Sequence, residues 1–422
     1  MNGVDLVSTA SSHSVMLDTE KCKGCINCMK RCPTEAIRVR NGKAHIIDDR
    51  CIDCGECIRI CHNHAKKAVY DNFDIINDFK YKVALPAPSL YGQFNNLTDI
   101  DYVLTGLKLI GFDDVWEVSR SAEIISVLTR KLLNKDNIVK PCISSACPAV
   151  ERLIAVRFPN LCDNILPVLA PVEIAAKKAR EEAVKISGLK PEEIGVFFIS
   201  PCPAKVTSAK FPIGHNDRLI DGVLSASEVY FRLVPAMSDI EFPQQLSSSG
   251  LVGISWASSG GESSALLRDK YLAADGIENV IKVLEELEDD KLNDLEFIEL
   301  NACAGGCVGG VLNIENPFVA RAKIQSLRKY LPVSLNRFDQ RDNSIDDFMW
   351  TAQLEYVPVF RLDNDRSVAL RKLKEMNSIC ESLPGLDCGL CGAPTCRAFA
   401  EDIVNGDVSI DQCVKMQIQG SK

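Results

Sequence analysis

The chain has 422 residues, 46% hydrophobic and 25% charged, with a net charge of −9. This is the balance of an ordinary globular protein of about two to four domains. The negative balance argues against nucleic acid or an anionic membrane surface as the main partner. No apolar run approaches the ~18 residues of a membrane span, and no basic-then-apolar leader opens the sequence, so a cytoplasmic location is expected.

Nineteen cysteines are the dominant feature. Their short spacings suit ligation on tight loops and not disulfide staples between distant segments.

Residues 1–15 form a poorly patterned lead-in. Cys22, Cys25, Cys28 and Cys32 then follow a C-x2-C-x2-C-x3-C-P run, and Cys51, Cys54, Cys57 and Cys61 repeat the spacing with His62 in place of the proline. This is the two-cluster ferredoxin pattern, in which the fourth cysteine of each run serves the other cluster. The spacing predicts one [4Fe–4S] centre on Cys22, Cys25, Cys28 and Cys61, and a second on Cys51, Cys54, Cys57 and Cys32. Such a pair is an electron wire. Residues 62–78 read as a helix and connector with a solvated charged face, closing a ferredoxin-like domain at 16–78.

From 79 the texture changes to α/β. Strands are predicted over Tyr81–Pro86, Val139–Ser144, Ile194–Ser200 and Phe297–Leu300, and helices over Val172–Ile186 and Ile277–Leu287. The alternation predicts a parallel, doubly wound sheet with ligands gathered at the strand C-terminal ends. Three of those ends carry cysteine: Cys147 after Ile143-Ser-Ser-Ala146, Cys202 in Ser200-Pro201-Cys202-Pro-Ala-Lys205, and the pair Cys303 and Cys307 in a glycine-rich stretch. Four thiolates from three loops complete another [4Fe–4S] ligand set. Two core cysteines beside a glycine turn is the competing reading of the last stretch alone.

These three loops resemble the signature loops of the [FeFe]-hydrogenases over roughly residues 79–330. The resemblance implies that Cys147, Cys202, Cys303 and Cys307 hold the cubane of an H-cluster. Cys307 would also bridge to a diiron subsite with CO, CN⁻ and azadithiolate ligands, installed by H-cluster maturation proteins. Lys205 matches a lysine that bonds a cyanide. Pro86, Ala87, Ser200, Pro201, Ser259, Gly260 and Asn301 fall on pocket-lining positions. The departures are pointed. Ala146 stands where the family carries its proton-transfer cysteine, and a methyl neither donates nor accepts a proton. Ser200 and Asn301 replace methionines, Ser208 replaces a glutamate, and Ala170-Pro171 stands for a Ser-Pro. On the predicted helix 122–134, Leu128, Thr129 and Leu132 occupy the carboxylate positions of the usual relay.

The chain after 345 reads as a linker with a polar helix over Ser367–Ser378, ending in Cys388-x2-Cys391-x4-Cys396-x16-Cys413. This resembles a small [4Fe–4S] module of anaerobic redox proteins, with zinc as the alternative occupant. Cys142, Cys162 and Cys380 lie outside every motif; Cys142 is expected to come nearest the site.

The expected fold is thus α+β and multidomain. It comprises a two-cluster ferredoxin-like domain, an α/β H-cluster domain with parallel sheets (79–345), and a small helical C-terminal iron–sulfur module within 346–422. Four [4Fe–4S] clusters are expected in all. The alanine and the extra module resemble the sensory-type [FeFe]-hydrogenases. That likeness implies slow, reversible H₂ oxidation and proton reduction of the ferredoxin type, used as an H₂ sensor with a kinase or phosphatase as output partner. The alternatives are a slow metabolic hydrogenase exchanging electrons with ferredoxin, and a non-catalytic iron–sulfur carrier or assembly protein.

Overall fold

The structure is a computed structural model that describes residues 13–135, 138–339 and 344–420. Most of the lead-in, residues 1–12, lies outside the described residues. The chain divides into two compact units: one takes the residues up to Ala68 together with those from Tyr356 onward, and the other spans Val69–Glu355.

The first unit is built from short pieces. Strand β1 (Val15–Leu17) pairs antiparallel with β4 (Lys66–Ala68), and β2 (Ile37–Arg40) with β3 (Lys43–Ile46). Four-residue helices, Asn27–Lys30 and Glu56–Arg59, carry Cys28 and Cys57. Its N-terminal core is small and consists largely of cysteines with Met29, Ile37, Ala44 and Ala65. The segment predicted as a charged helix after Cys61 is instead β4 followed by a 3₁₀ turn at Phe73–Asp78. Pairing with β1 overrides local propensity there, and Lys66 is buried at 3% exposure, not solvated.

The C-terminal segment packs onto this same unit. Helix Arg366–Ser382 is capped by Asp365, which accepts from the Ser367 and Val368 amides at 2.8 and 3.0 Å. Beyond it, the Val39 amide donates to Gly392 O at 2.9 Å, and Lys30 Nζ donates to Asp387 O and Pro394 O at 2.7 and 2.8 Å. Arg38 and Arg40 both reach Asp402, and Arg50 pairs with Glu401, in a largely buried network. Sequence patterning gave no sign that the two ends of the chain share one unit.

The second unit holds two parallel sheets. β5 (Tyr81–Pro86), β6 (Asp114–Val115), β8 (Ile194–Ser200) and β9 (Gly222–Ser225) lie in the order β6-β5-β8-β9. β7 (Cys142–Ile143), β10 (Tyr271–Asp275) and β11 (Phe297–Asn301) form the other, in the order β10-β11-β7. All seven residues of β8 are buried, the mark of a strand covered on both faces. Helix Pro171–Ser187 begins on a proline at N1 and ends at Gly188 in the left-handed region. Its alanine-rich stripe (Ala175, Ala176, Ala179, Ala183) packs on β5, β8 and helix Val118–Leu132.

The strand expected over Val139–Ser144 shrinks to Cys142–Ile143. Pro141 has no amide proton to give, so the ladder starts where the Cys142 amide reaches Glu296 O at 3.0 Å. The segment after 345, expected as linker, stays with this unit: the Trp350 and Thr351 amides donate to Pro167 O and Gly214 O at 2.9 and 2.8 Å.

Candidate metal centres

In the second unit three loops leave strand C-terminal ends. β7 runs through Ser144–Ala146 to Cys147, which precedes the proline opening helix Pro148–Arg157. β8 runs through Pro201 to Cys202, which likewise precedes Pro203 and its helix. β11 runs through Ala302 to Cys303 and Cys307. The third loop threads between the others. A Cβ on Gly306, whose φ is +90°, would lie 2.4 Å from Ser259 N, and one on Gly310 would lie 2.2 Å from Pro201 O. No side chain fits at either place.

The four thiols converge. Burial pushes the Cys202 thiol well up, with Cys303, Cys307 and Cys147 adding to it and Lys205 opposing. Burial likewise lifts Cys307 to about 11 against Lys205. Thiols held this high are not free nucleophiles near neutrality, and a bound metal is what converts them to thiolates. Burial alone would lower the Lys205 pKa, but Cys307, Cys202, Cys147 and Glu151 together raise it. Its ammonium donates to Ala146 O at 2.9 Å.

Beside the thiols lies a cavity with about 580 Å³ of empty space, lined in part by Ala87, Ala146, Pro201, Lys205, Asn301 and Cys307. Pro86 ends β5 just before this wall. Ser200 turns its hydroxyl onto its own loop, donating to Cys202 O at 2.9 Å. Ser259 and Gly260 brace the third loop: the Ser259 amide donates to Gly305 O at 3.0 Å and that of Gly260 to Glu299 Oε1 at 2.9 Å.

Sequence reasoning missed the acids of this cavity. Glu262 and Glu299 are buried there together. Burial and the neighbouring Glu299 push Glu262 up to about 8, with the Ser144 hydroxyl (2.6 Å) and Lys205 pulling the other way. Burial also raises Glu299, against donors that include the Ser263 and Gly260 amides and Asn301. Glu262 directly follows the Gly260-Gly261 pair in sequence, which was the available signal. On helix Val118–Leu132, Leu128, Thr129 and Leu132 are buried. The acid nearest them, Glu123, accepts from Gly250, Leu335 and Asn336 amides and is structural. Cys142 does not approach the site. It opens its strand while the ligand loop leaves the other end, and its thiol donates to Val139 O at 3.0 Å.

In the first unit, Cys32, Cys51, Cys54 and Cys57 line one cavity with about 360 Å³ of empty space. Burial lifts the Cys28 thiol to about 11, with Cys25, Cys61 and Cys22 as its thiol neighbours. The crossed pairing expected from the two runs is therefore the spatial grouping. Cys388, Cys391, Cys396 and Cys413 line a further cavity with about 350 Å³ of empty space. Each of these two cavities presents four sulfurs, a donor set that fits an iron–sulfur cluster.

The family described as iron only hydrogenase large subunit, C-terminal domain, matches residues 80–271 and 262–311. The chain belongs to the [FeFe]-hydrogenase family. A 4Fe-4S dicluster domain matches residues 14–62, and an Fe-S cluster family matches 383–415. Iron hydrogenase 1 of Clostridium pasteurianum is 24% identical over 372 residues, 71% of this chain and 64% of that protein. The periplasmic [Fe] hydrogenase large subunit of Nitratidesulfovibrio vulgaris is 24% identical over 360 residues, 71% of this chain and 86% of that one. The chain thus spans just under two thirds of the first relative's length. A solved [FeFe]-hydrogenase structure matches with a TM-score of 0.50 at 15% identity, over 66% of this chain and 95% of that one, and shares the fold. This hydrogenase-family chain is an iron–sulfur protein of mixed helix and parallel sheet. No helix among the described residues is long and apolar enough to cross a membrane.

Proposed function

We propose that this hydrogenase-family chain binds and slowly turns over H₂, and that it serves as an H₂ sensor in the cytoplasm, where thiols stay reduced. The observation that carries the reading is the cavity wall. Cys307 and Lys205 are kept, while Ala146 presents a methyl where a proton-transfer thiol is expected. A diiron subsite bound there on Cys307, beside a cubane on Cys147, Cys202, Cys303 and Cys307, would supply the metal and base for heterolytic H₂ cleavage and the electron sink.

The chain's own groups do the rest. Lys205 places a half-buried positive charge against the sulfurs and suits an anionic ligand there. Apolar Ala87, Pro88, Val118 and Phe198 exclude water from the cavity. Burial and Glu299 raise Glu262 in the cavity, and Ser144 Oγ, which accepts from the Ala146 amide (3.1 Å), donates to its Oε2 and fixes the carboxyl beside that wall. With no thiol at 146 and no carboxylate at Leu128 or Leu132, the usual relay is gone, and turnover is slow. Slow turnover with retained binding suits reporting H₂ better than metabolising it.

Output would leave through the other unit. The C-terminal cysteine set docks on the ferredoxin-like runs there: Gly389 sits against Met29, Ile26 and Lys30, whose helix carries Cys28. Four [4Fe–4S] clusters, a redox partner such as ferredoxin, a signalling kinase or phosphatase and the H-cluster maturation proteins complete the proposal.

The test is infrared spectroscopy of the cofactor-loaded chain in the CO and CN⁻ region, under inert gas and then under H₂. Bands that shift reversibly with H₂ are expected. A loading procedure that succeeds on a control hydrogenase yet leaves no bands here would sink the hydrogenase activity and favour the carrier reading.

A further inference from the structure

The two cysteine runs of the ferredoxin-like part repeat one another in structure as well as spacing. The Ala36 amide donates to Cys32 Sγ at 3.2 Å, and the Ala65 amide donates to Cys61 Sγ at 3.3 Å. Each alanine is followed by a buried residue. In the first run it is Ile37, at 2% exposure; in the second it is Lys66, at 3%. A lysine therefore occupies the place where the repeat itself puts a hydrocarbon.

The Lys66 ammonium is sealed from solvent and has no hydrogen-bond partner. Burying an ammonium with nothing opposite it costs several kcal/mol, so the site must offer a counter-charge. No carboxylate among the described residues pairs with it. Its charge bears instead on one thiol of each set, opposing the burial that drives Cys28 to about 11 and Cys57 higher still. Its neighbour on the same strand is a contrast. Lys67 faces outward and pairs with Asp18 at 3.0 Å.

A [4Fe–4S] centre on four thiolates is anionic, and reduction adds one more negative charge. A fixed positive charge beside it favours the reduced form and raises its potential. We propose that Lys66 is the counter-charge of the paired N-terminal clusters and raises both of their potentials. The proposal rests on the reading of those eight cysteines as two clusters.

The experiment is an EPR-monitored redox titration of the full chain with dithionite as reductant. Cys22→Ser and Cys51→Ser first identify the signals of the N-terminal pair; if no signal answers to them, it is the cluster reading that fails. In Lys66→Met, both N-terminal potentials are expected to fall, with the reduction equilibrium weakened at least tenfold, which is about 59 mV for one electron. Lys66→Arg restores most of the shift, and Lys67→Met leaves the potentials in place. Unchanged potentials in Lys66→Met, or an equal fall in Lys67→Met, would overturn the proposal. Should Lys66→Met not assemble its clusters, Ile37→Lys gives the mirrored test. A second ammonium must then raise the potentials, and no rise overturns the idea equally well.

Discussion

In the unit of residues 69–355, Cys147, Cys202 and Cys303 stand just beyond the ends of buried strands, and the glycine-rich loop is wedged among the others by contacts of its own. Around the ferredoxin-like runs, by contrast, no strand exceeds four residues, the helices carrying cysteine are one turn long, and the sulfurs make up much of the core. The first arrangement is a scaffold that can present ligands before metal arrives. The second is a chain whose cluster completes its interior, so that metal affinity and folding are one quantity. The difference teaches where each part is vulnerable.

The largest effect that could break this comparison is removal of iron. Chelation under reducing conditions should abolish amide protection around Cys22–Cys61 and Cys388–Cys413, while β5, β8 and β11 stay protected in hydrogen exchange. Equal loss in both units would refute it. Next comes the cavity beside Cys307, where the scaffold is expected to accept a new group without strain. In loaded protein Ala146→Cys should raise H₂ evolution by ~10²–10⁴, the usual contribution of a positioned acid–base group. A rise of only a few-fold would mean that the missing thiol was not what limits turnover.

The third test concerns what replaces a large core in the smaller unit. Asp402 is buried and takes both Arg38 and Arg40, so Asp402→Ala leaves Arg38 with only the longer pairing to Glu401 at 3.6 Å and Arg40 with only backbone acceptors. A loss of about 3–5 kcal/mol is expected, read as early exchange and proteolysis of residues 383–415 with the other unit unaffected. The smallest effect sharpens the electrostatics of the preformed site. A carboxyl raised from 4.5 to about 8 binds its proton more tightly folded than unfolded. Stability therefore falls as pH rises through that window, by up to about 1.4 kcal/mol per unit. Thermal unfolding of Glu262→Gln should lack this slope and gain on the wild type from pH 5 to 8; parallel curves would show Glu262 ionised throughout.

How much could be read in advance follows the same division. Continuous apolar runs made β8 and β11 legible almost to the residue, and the periodic helices Pro171–Ser187 and Ile277–Glu288 likewise. The grouping of cysteines followed from spacing because ligand geometry constrains it. What escaped was long-range: β4, whose charged Lys66-Lys67 pair has no strand signal until β1 covers it, and the acids Glu262 and Glu299, whose meeting depends on loops from separate elements. Cys142 misled because its strand was expected to be longer than Pro141 allows.

The amide bond between Val39 and Gly392, and the Arg38–Asp402 pair spanning 364 residues, have one more consequence. A chain made from its N-terminus upward holds Cys22–Cys61 unfinished through the synthesis of the whole intervening unit. Only when the segment around Gly392 leaves the ribosome can that first-made region close. Whatever delivers its iron must therefore either wait for the late segment or hand over metal to a site still open on one side. A prematurely terminated chain would carry a ferredoxin-like region with its docking face bare, even where the larger unit had folded correctly.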